Sequence, residues 1–278
     1  MTIRDLLLPL LGDPSPTAIA AIEKCVAMAA SFEAEITALA VEEDVSVRRP
    51  QVIISADLDL ANEVKSTTDA HGLLKAFDAA VDQIGLRNVQ RLAHLMAGDA
   101  AGYLARCARL KDLSIVPVKP HDDRSERVIE GLIFHSGRPI LLCPQELAAE
   151  LPVNFDRVIV AWNHSAPAAR AVGDALPMLR RARDVYVITA TDGNTPAEQE
   201  SGAALIRHLG EHGINASFDT VRIDGSSVGK ILEAEVKARG IDLLVMGAYG
   251  HSRLSEWVWG GATKTIIAWP PCWVIMSH

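Results

Sequence analysis

The chain has 278 residues, 49% of them apolar and 22% charged, which is enough to fill substantial cores and too ordinary a charge content for a disordered chain. Lys and Arg number 27 against 35 Asp and Glu, a net charge of −8, and the densest basic run, Arg180-Arg181-Ala-Arg183, reads as a helix C-terminus and not as a phosphate-tracking patch. The start, Met1-Thr-Ile-Arg-Asp5, lacks the shape of a signal peptide and no apolar run reaches the ~20 residues that span a bilayer, so a cytoplasmic protein with neither nucleic-acid nor membrane partners is expected.

Asp5–Leu11 is a continuous apolar run and predicts a buried strand. Gly12–Pro16 is a loop in which Ser15 is placed to cap a helix over Thr17–Ser31, with Pro16 at its first position. A second strand follows at Glu35–Val41, then an irregular connection over residues 43–58. Leu58–Ile84 reads as a long helix that Gly72 could break. Val89–Leu95 is a third strand, Ala100–Leu110 a helix and Leu113–Val118 a fourth strand. After the polar loop His121–Ser125 come a helix at Glu126–His135 and a fifth strand at Pro139–Cys143. Five strands alternating with helices predict a parallel sheet covered on both faces.

Pro144–Asn154 reads as a linker, and the order then repeats. Strands are expected at Arg157–Trp162, Val185–Thr189, Ala216–Arg222, Asp242–Gly247 and Cys272–Met276. Helices are expected at Ala166–Arg183, Thr195–His212 and Val228–Arg239, and from Gly260-Gly261-Ala262-Thr263 to a stop at Pro270-Pro271. The halves align as two copies of one unit, Leu6 with Val158 at an offset of 152, Asp112 with Asp242 at 130 and Ile140 with Val274 at 134. The fall from 152 to 130 leaves 22 extra residues in the first copy before its fourth strand, and the rise to 134 leaves it four fewer after that strand. Two domains are expected, 1–145 and 153–278.

The four-residue difference falls on a glycine loop. The second copy reads Gly247-Ala-Tyr-Gly250-His251-Ser-Arg253, then Gly260-Gly261 opening a helix, where the first copy has Pro117-Val-Lys-Pro120. Glycines at a strand's carboxyl end and at the next helix's amino end let backbone N–H groups approach an anion, and the helix dipole favours it. Prolines offer no N–H and no positive φ. A phosphate ligand in the second copy is the reading this contrast supports. The plainer account is that Gly247 and Gly250 turn the chain and Gly260-Gly261 allow close packing.

The spacing Gly247-x2-Gly250-x9-Gly260 resembles the nucleotide-binding loop of the universal stress protein family, and Gly-Ala-Tyr-Gly-His-Ser-Arg with the closing Met276-Ser-His278 resembles its bacterial branch. The family motif ends in Ser or Thr; Gly261 stands there in this chain and the nearest hydroxyl is that of Thr263. The resemblance implies the adenine nucleotide alpha hydrolase-like fold, two tandem doubly wound, mostly parallel five-stranded sheets, with ATP or a related nucleotide in the second domain. Family members pair through their last strands, which makes Pro139–Cys143 and Cys272–Met276 candidates to pair within the chain as a pseudo-dimer, with a homodimer beyond that left open. It also implies that the turn Trp162-Asn163-His164-Ser165 faces Gly247 across the crevice between the first and fourth strands. Asn163 stands where the family has Asp, His164 crowds the place of a Gly, and Ser165 is retained. The site set by this reading is Asn163, Ser165, Gly247, Gly250, His251, Arg253, Gly260, Gly261, Ala262 and Thr263. Asn163 and Ser165 are equally placed to cap the following helix.

Two other spellings compete. Gly225-Ser226-Ser227-Val228-Gly229 fits a hydrolase elbow, with Asp242 and His251 or His278 following in triad order; the alternative is that Ser226 or Ser227 caps a helix. His208-Leu-Gly-Glu211-His212 fits an inverted zinc-protease motif but nominates no third ligand. Cys25, Cys107, Cys143 and Cys272 are scattered among apolar neighbours and read as buried thiols, with neither disulfide nor metal expected. No lysine finger stands near the loop, and no carboxylate is placed there to hold Mg2+, so weak ATPase activity is the most that is expected. The function this implies is a nucleotide-responsive binding module in a stress response, with an unspecified protein partner. The alternatives are an interaction protein of the same fold that binds no nucleotide, and a serine esterase using Ser227.

Overall fold

Leu6, Leu8 and Leu10 lie in one hydrophobic core and Leu7 and Leu11 in another. A strand buried on both faces is thus written as an unbroken apolar run, and that strand sits inside a sheet with helices on each side. The structure, a computed structural model, describes residues 2–12, 16–44, 56–193, 195–249 and 261–278, with backbone alone for 44 and 56–69. The first half contains β1 (Asp5–Leu11), α1 (Ile19–Ser31), β2 (Glu35–Asp44), α2 (Ala56–Ile84), β3 (Asn88–Met96), α3 (Ala100–Ala108), β4 (Leu113–Val118), α4 (Asp123–His135) and β5 (Ile140–Pro144). A 3-10 turn at Gln145–Leu147 leads into β6 (Arg157–Ala161), α5 (Ala166–Leu179), β7 (Asp184–Thr191), α6 (Pro196–Glu211), β8 (Ala216–Arg222), α7 (Val228–Arg239), β9 (Leu243–Gly247), α8 (Gly261–Ala268) and β10 (Trp273–Ser277).

The strands form one sheet in the order β3-β2-β1-β4-β5-β10-β9-β6-β7-β8, two five-stranded parallel units joined at their last strands. That seam is antiparallel, with Val274 opposite Leu142, Ile275 opposite Leu141 and Met276 opposite Ile140. Each unit thereby covers the other's open edge, a row of unpaired N–H and C=O groups that would otherwise invite aggregation. Both cores run across the seam. Helices α1, α2, α5 and α6 pack on one face, α3, α4, α7 and α8 on the other. Trp273 is fully buried beneath the first face and its indole N–H donates to the Pro152 carbonyl at 2.9 Å, fixing the connection between the units. On the same face Arg181, just beyond α5, donates from Nη1 to the carbonyl of Ser31 at the end of α1 (3.0 Å).

Several boundaries differ from the sequence expectation, each for a local reason. Helix α1 starts at Ile19, because the Thr17 hydroxyl is turned back onto Leu11, accepting its N–H at 3.2 Å; the proposed cap Ser15 lies outside the described residues. Helix α4 starts at Asp123, three residues early, because Asp122 caps it by accepting the N–H groups of Arg124 and Ser125. Strand β2 continues to Asp44, so residues 43 and 44 are not irregular. Gly72 does not break α2; a single glycine costs about 1 kcal/mol, less than the burial of Leu73, Phe77, Ala80 and Val81 returns. Helix α5 stops at Leu179, leaving Arg180 as its C-cap and Arg181–Arg183 outside it. Of the four cysteines Cys25, Cys143 and Cys272 are buried free thiols, and burial raises those of Cys25 and Cys272.

Candidate functional site

The order β7-β6-β9-β10 puts β6 and β9 side by side as the second unit's inner pair. The chain leaves β6 for α5 on one face and β9 for α8 on the other, so a crevice opens between their carboxyl ends. Gly247, at the end of β9, lies against the first turn of α5. A Cβ on it would stand 2.6 Å from the Pro167 carbonyl carbon and 2.9 Å from the Ala168 Cα, with the Ala168 nitrogen closer still. Gly247 is therefore a packing glycine, a role the sequence reading gave to Gly260-Gly261 and not to it. Pro117 holds the corresponding place in the first unit, and there the helix after the first strand begins only at Ile19.

Gly261 is different. It is the first residue of α8, it is exposed, and a Cβ built on it meets nothing within 4 Å. No packing demand among the described residues explains a glycine there, and the first N–H groups of α8 have no partner within the helix. Ala262 is half-buried beside it. Thr263 is buried, and its hydroxyl accepts the Tyr249 N–H at 3.3 Å, so it ties the end of β9 to α8. Gly250, His251, Arg253 and Gly260 lie outside the described residues.

On the other wall, Asn163 Oδ1 accepts both the Ser165 N–H (3.2 Å) and the Ser165 hydroxyl (2.7 Å), and Ser165 Oγ accepts the Ala168 N–H (3.3 Å) to cap α5. The capping reading holds for Ser165, while Asn163 braces that cap from outside the helix and remains exposed at the mouth of the crevice. His164 between them has φ of +58°, in the left-handed region where the family turn has glycine, and its exposed ring lies 5.9 Å from that of Trp162.

The first unit's crevice is spanned by its own side chains. Arg124 at the start of α4 donates from Nη1 to the Gly12 carbonyl beyond β1 (3.1 Å) and pairs through Nη2 with Glu43 on β2 (3.1 Å). Glu43 also accepts the Gly98 N–H at 3.0 Å.

The elbow residues do not assemble a triad. Ser227 caps α7 by accepting the Lys230 N–H at 3.3 Å, at the carboxyl edge of the sheet. Asp242 precedes β9 at the opposite edge, where one oxygen accepts the N–H groups of Asp156 (2.9 Å) and Arg157 (2.8 Å). His278 Nδ1 lies 2.9 Å from the Ala248 carbonyl, to which it donates. His208 and His212 stack edge-on at the end of α6, and His212 Nδ1 lies 3.1 Å from Arg180 Nη2. No group of three metal-ligating side chains occurs among the described residues.

Sequence reasoning passed over two residues at this site, Tyr249 and Glu130. The Tyr249 hydroxyl donates to Glu130 Oε1 of α4 at 2.8 Å, and burial, reinforced by Glu130, raises its phenol well above the usual tyrosine range. An aromatic residue between two loop glycines was the available signal.

Residues 154–278 match the universal stress protein family model. Among solved structures, a universal stress protein from Archaeoglobus fulgidus DSM 4304 is 15% identical, covers 98% of this chain and 96% of its own, and superposes with a TM-score of 0.70. A putative universal stress protein from Pseudomonas aeruginosa UCBPP-PA14 is 15% identical, covers 99% and 93%, and gives 0.57. A universal stress protein in complex with cAMP covers 52% of this chain and 99% of its own at 16% identity, with a TM-score of 0.36. No curated protein matches the sequence. The second half of the chain is thus a domain of the universal stress protein family, and the chain as a whole has the fold of a universal stress protein of known structure.

Proposed function

We propose that the protein is a regulatory binding module of the stress response whose C-terminal domain, 153–278, takes an adenine nucleotide, ATP foremost. Domain 1–145 is a degenerate copy that takes none. The observation that carries this is Gly261: a helix-opening glycine with open space at its Cβ position, at the mouth of the crevice between β6 and β9, is what an anion's approach requires and packing does not. The phosphates would rest on N–H groups of Gly250, His251 and the α8 first turn from Gly261 through Thr263. Arg253 would supply charge, and the exposed Asn163 a polar contact to the nucleoside. ATP supplies phosphates whose charge the N–H groups and helix dipole complement. The Arg124 bridge in the first unit favours a single site per chain.

A second reading, the same fold acting as an interaction protein without nucleotide, is favoured by one observation: the polar atoms of Ser165 are engaged in the α5 cap, with Asn163 as its partner. The esterase reading has no comparable support. Among the described residues no helix is long and apolar enough to cross a membrane, and a cytoplasmic place accords with the free cysteines. Equilibrium binding of ATP, ADP and AMP to the purified chain, with and without Mg2+, separates the first two readings, and mass spectrometry of any co-purifying small molecule names the nucleotide. Saturable binding of one of the three supports the first; none supports the second.

A further inference from the structure

Tyr249 leaves β9 with φ of +53°, a backbone conformation that residues with side chains rarely adopt and keep only where their surroundings fix it. Here the fixing is dense. Its N–H donates to Thr263 Oγ1 at 3.3 Å and its hydroxyl to Glu130 Oε1 at 2.8 Å. Its ring centroid lies 4.8 Å from that of Phe134, one turn further along α4. The ring of the terminal His278 meets Phe134 edge-on at 5.0 Å, and its Nδ1–H donates to the Ala248 carbonyl. The Ala248 N–H in turn donates to the Ser277 carbonyl at 2.8 Å. Ala248 and Tyr249 are the last two peptides before Gly250. Glu130 and Phe134 both belong to α4, which is part of the first unit.

We propose that α4 of the first unit positions the phosphate end of the second unit's crevice: Glu130, acting through Tyr249 and the Tyr249 N–H on Thr263, fixes the carboxyl end of β9 against the first turn of α8, so the first unit sets the nucleotide affinity of the second. This rests on the nucleotide reading above. Donors held in place before the ligand arrives spare binding the cost of ordering them, and release of the strut returns that cost. The coupling runs both ways, so nucleotide at the first turn of α8 steadies α4 as α4 steadies that turn. Glu130 and Tyr249 are positioning residues and touch no ligand in this account.

The test measures ATP affinity of the full chain by calorimetry for the wild type, Tyr249→Phe, Glu130→Ala and Glu130→Gln. It is paired with hydrogen exchange of the segment Asp123–His135 with and without ATP. Tyr249→Phe and Glu130→Ala are expected to weaken ATP about tenfold, and the double variant no further than either alone. Glu130→Gln keeps an oxygen for the phenol and should stay near wild type, which a general loss of folding would not allow. ATP should slow exchange in α4 of the wild type and not in Tyr249→Phe. If Tyr249→Phe fails to fold, Glu130→Ala against Glu130→Gln carries the same comparison on α4. Wild-type binding with both variants within about twofold, or α4 exchange indifferent to ATP in the wild type, overturns the positioning role and leaves the nucleotide site standing. A wild type that binds no ATP overturns both.

Discussion

Asp112 and Asp242 occupy the same place in the two units. Asp112 Oδ2 accepts the N–H groups of Arg4 (2.8 Å) and Asp5 (3.1 Å), and Asp242 Oδ2 accepts those of Asp156 (2.9 Å) and Arg157 (2.8 Å). Each ties the start of a unit's fourth strand to the start of its first. Each Asp N–H returns the bond to the first strand, Asp112 to the Asp5 carbonyl and Asp242 to that of Arg157. Removing either carboxylate strands two N–H groups, so Asp112→Ala and Asp242→Ala should each cost about 2 kcal/mol in denaturant unfolding. Both donors meet a single oxygen, so the Asn variants should lose less than half of that. A loss at one position and none at the other would contradict their equivalence.

Gly247 and Gly261 predict opposite outcomes, although both belong to one sequence pattern. Gly247→Ala puts a methyl group into the backbone of Pro167 and Ala168, and rigid backbone cannot step aside cheaply. A destabilisation of about 2 kcal/mol is expected, read as a lower thermal midpoint, whether or not nucleotide is present. An unshifted midpoint would mean that α5 sits further from β9 than described here.

His164 holds a left-handed turn at the mouth of the crevice with an exposed ring. Glycine takes that conformation without the side-chain penalty, so His164→Gly should gain about 1 kcal/mol, partly offset by the entropy of the unfolded chain. The same change opens the crevice and should tighten ATP. Weaker binding in this variant would make the imidazole a ligand contact.

Glu198 supplies a pH signature. Its carboxylate accepts the Thr195 N–H at 2.7 Å, the Thr191 hydroxyl at 2.9 Å and the Thr195 hydroxyl at 3.0 Å, closing the capping box of α6. The Thr195 N–H first, then the Thr191 hydroxyl, hold its pKa below the ordinary 4.5. A depressed folded-state pKa means a contribution that is complete above the unfolded value and lost as pH falls through the folded one. Wild type should therefore melt above Glu198→Gln at neutral pH, with the gap closing on acidification below about 4.5. A gap that persists unchanged in acid would assign the effect to packing.

The apolar runs at Asp5–Leu11 and Asp242–Gly247 made the double-sided burial legible, and the offsets of Asp112 and Asp242 made the duplication legible. The pairing of β5 with β10 was expected from the family resemblance and not from the residues of the two strands. Helix starts were less legible, because Thr17 and Asp122 settle them through side-chain bonds whose direction spacing does not encode. At the site, the sequence marks glycines without saying which serve packing. Only the distance from Gly247 to Ala168, and the empty space at Gly261, separate the two uses. The Tyr249–Glu130 contact joins residues far apart in the chain and carries no local pattern at all.

The central claim is tested most directly by titrating ATP into the wild type and Gly261→Val by calorimetry, with thermal midpoints taken alongside. A Cβ at Gly261 meets nothing within 4 Å among the described residues, so the midpoint should move little, while the valine's branches stand where the phosphates approach. The account predicts measurable wild-type binding and a loss of at least ~2 kcal/mol in the variant, the scale of charge-assisted bonds lost at such a site. Equal affinity in the two proteins, or no binding by the wild type, would contradict it.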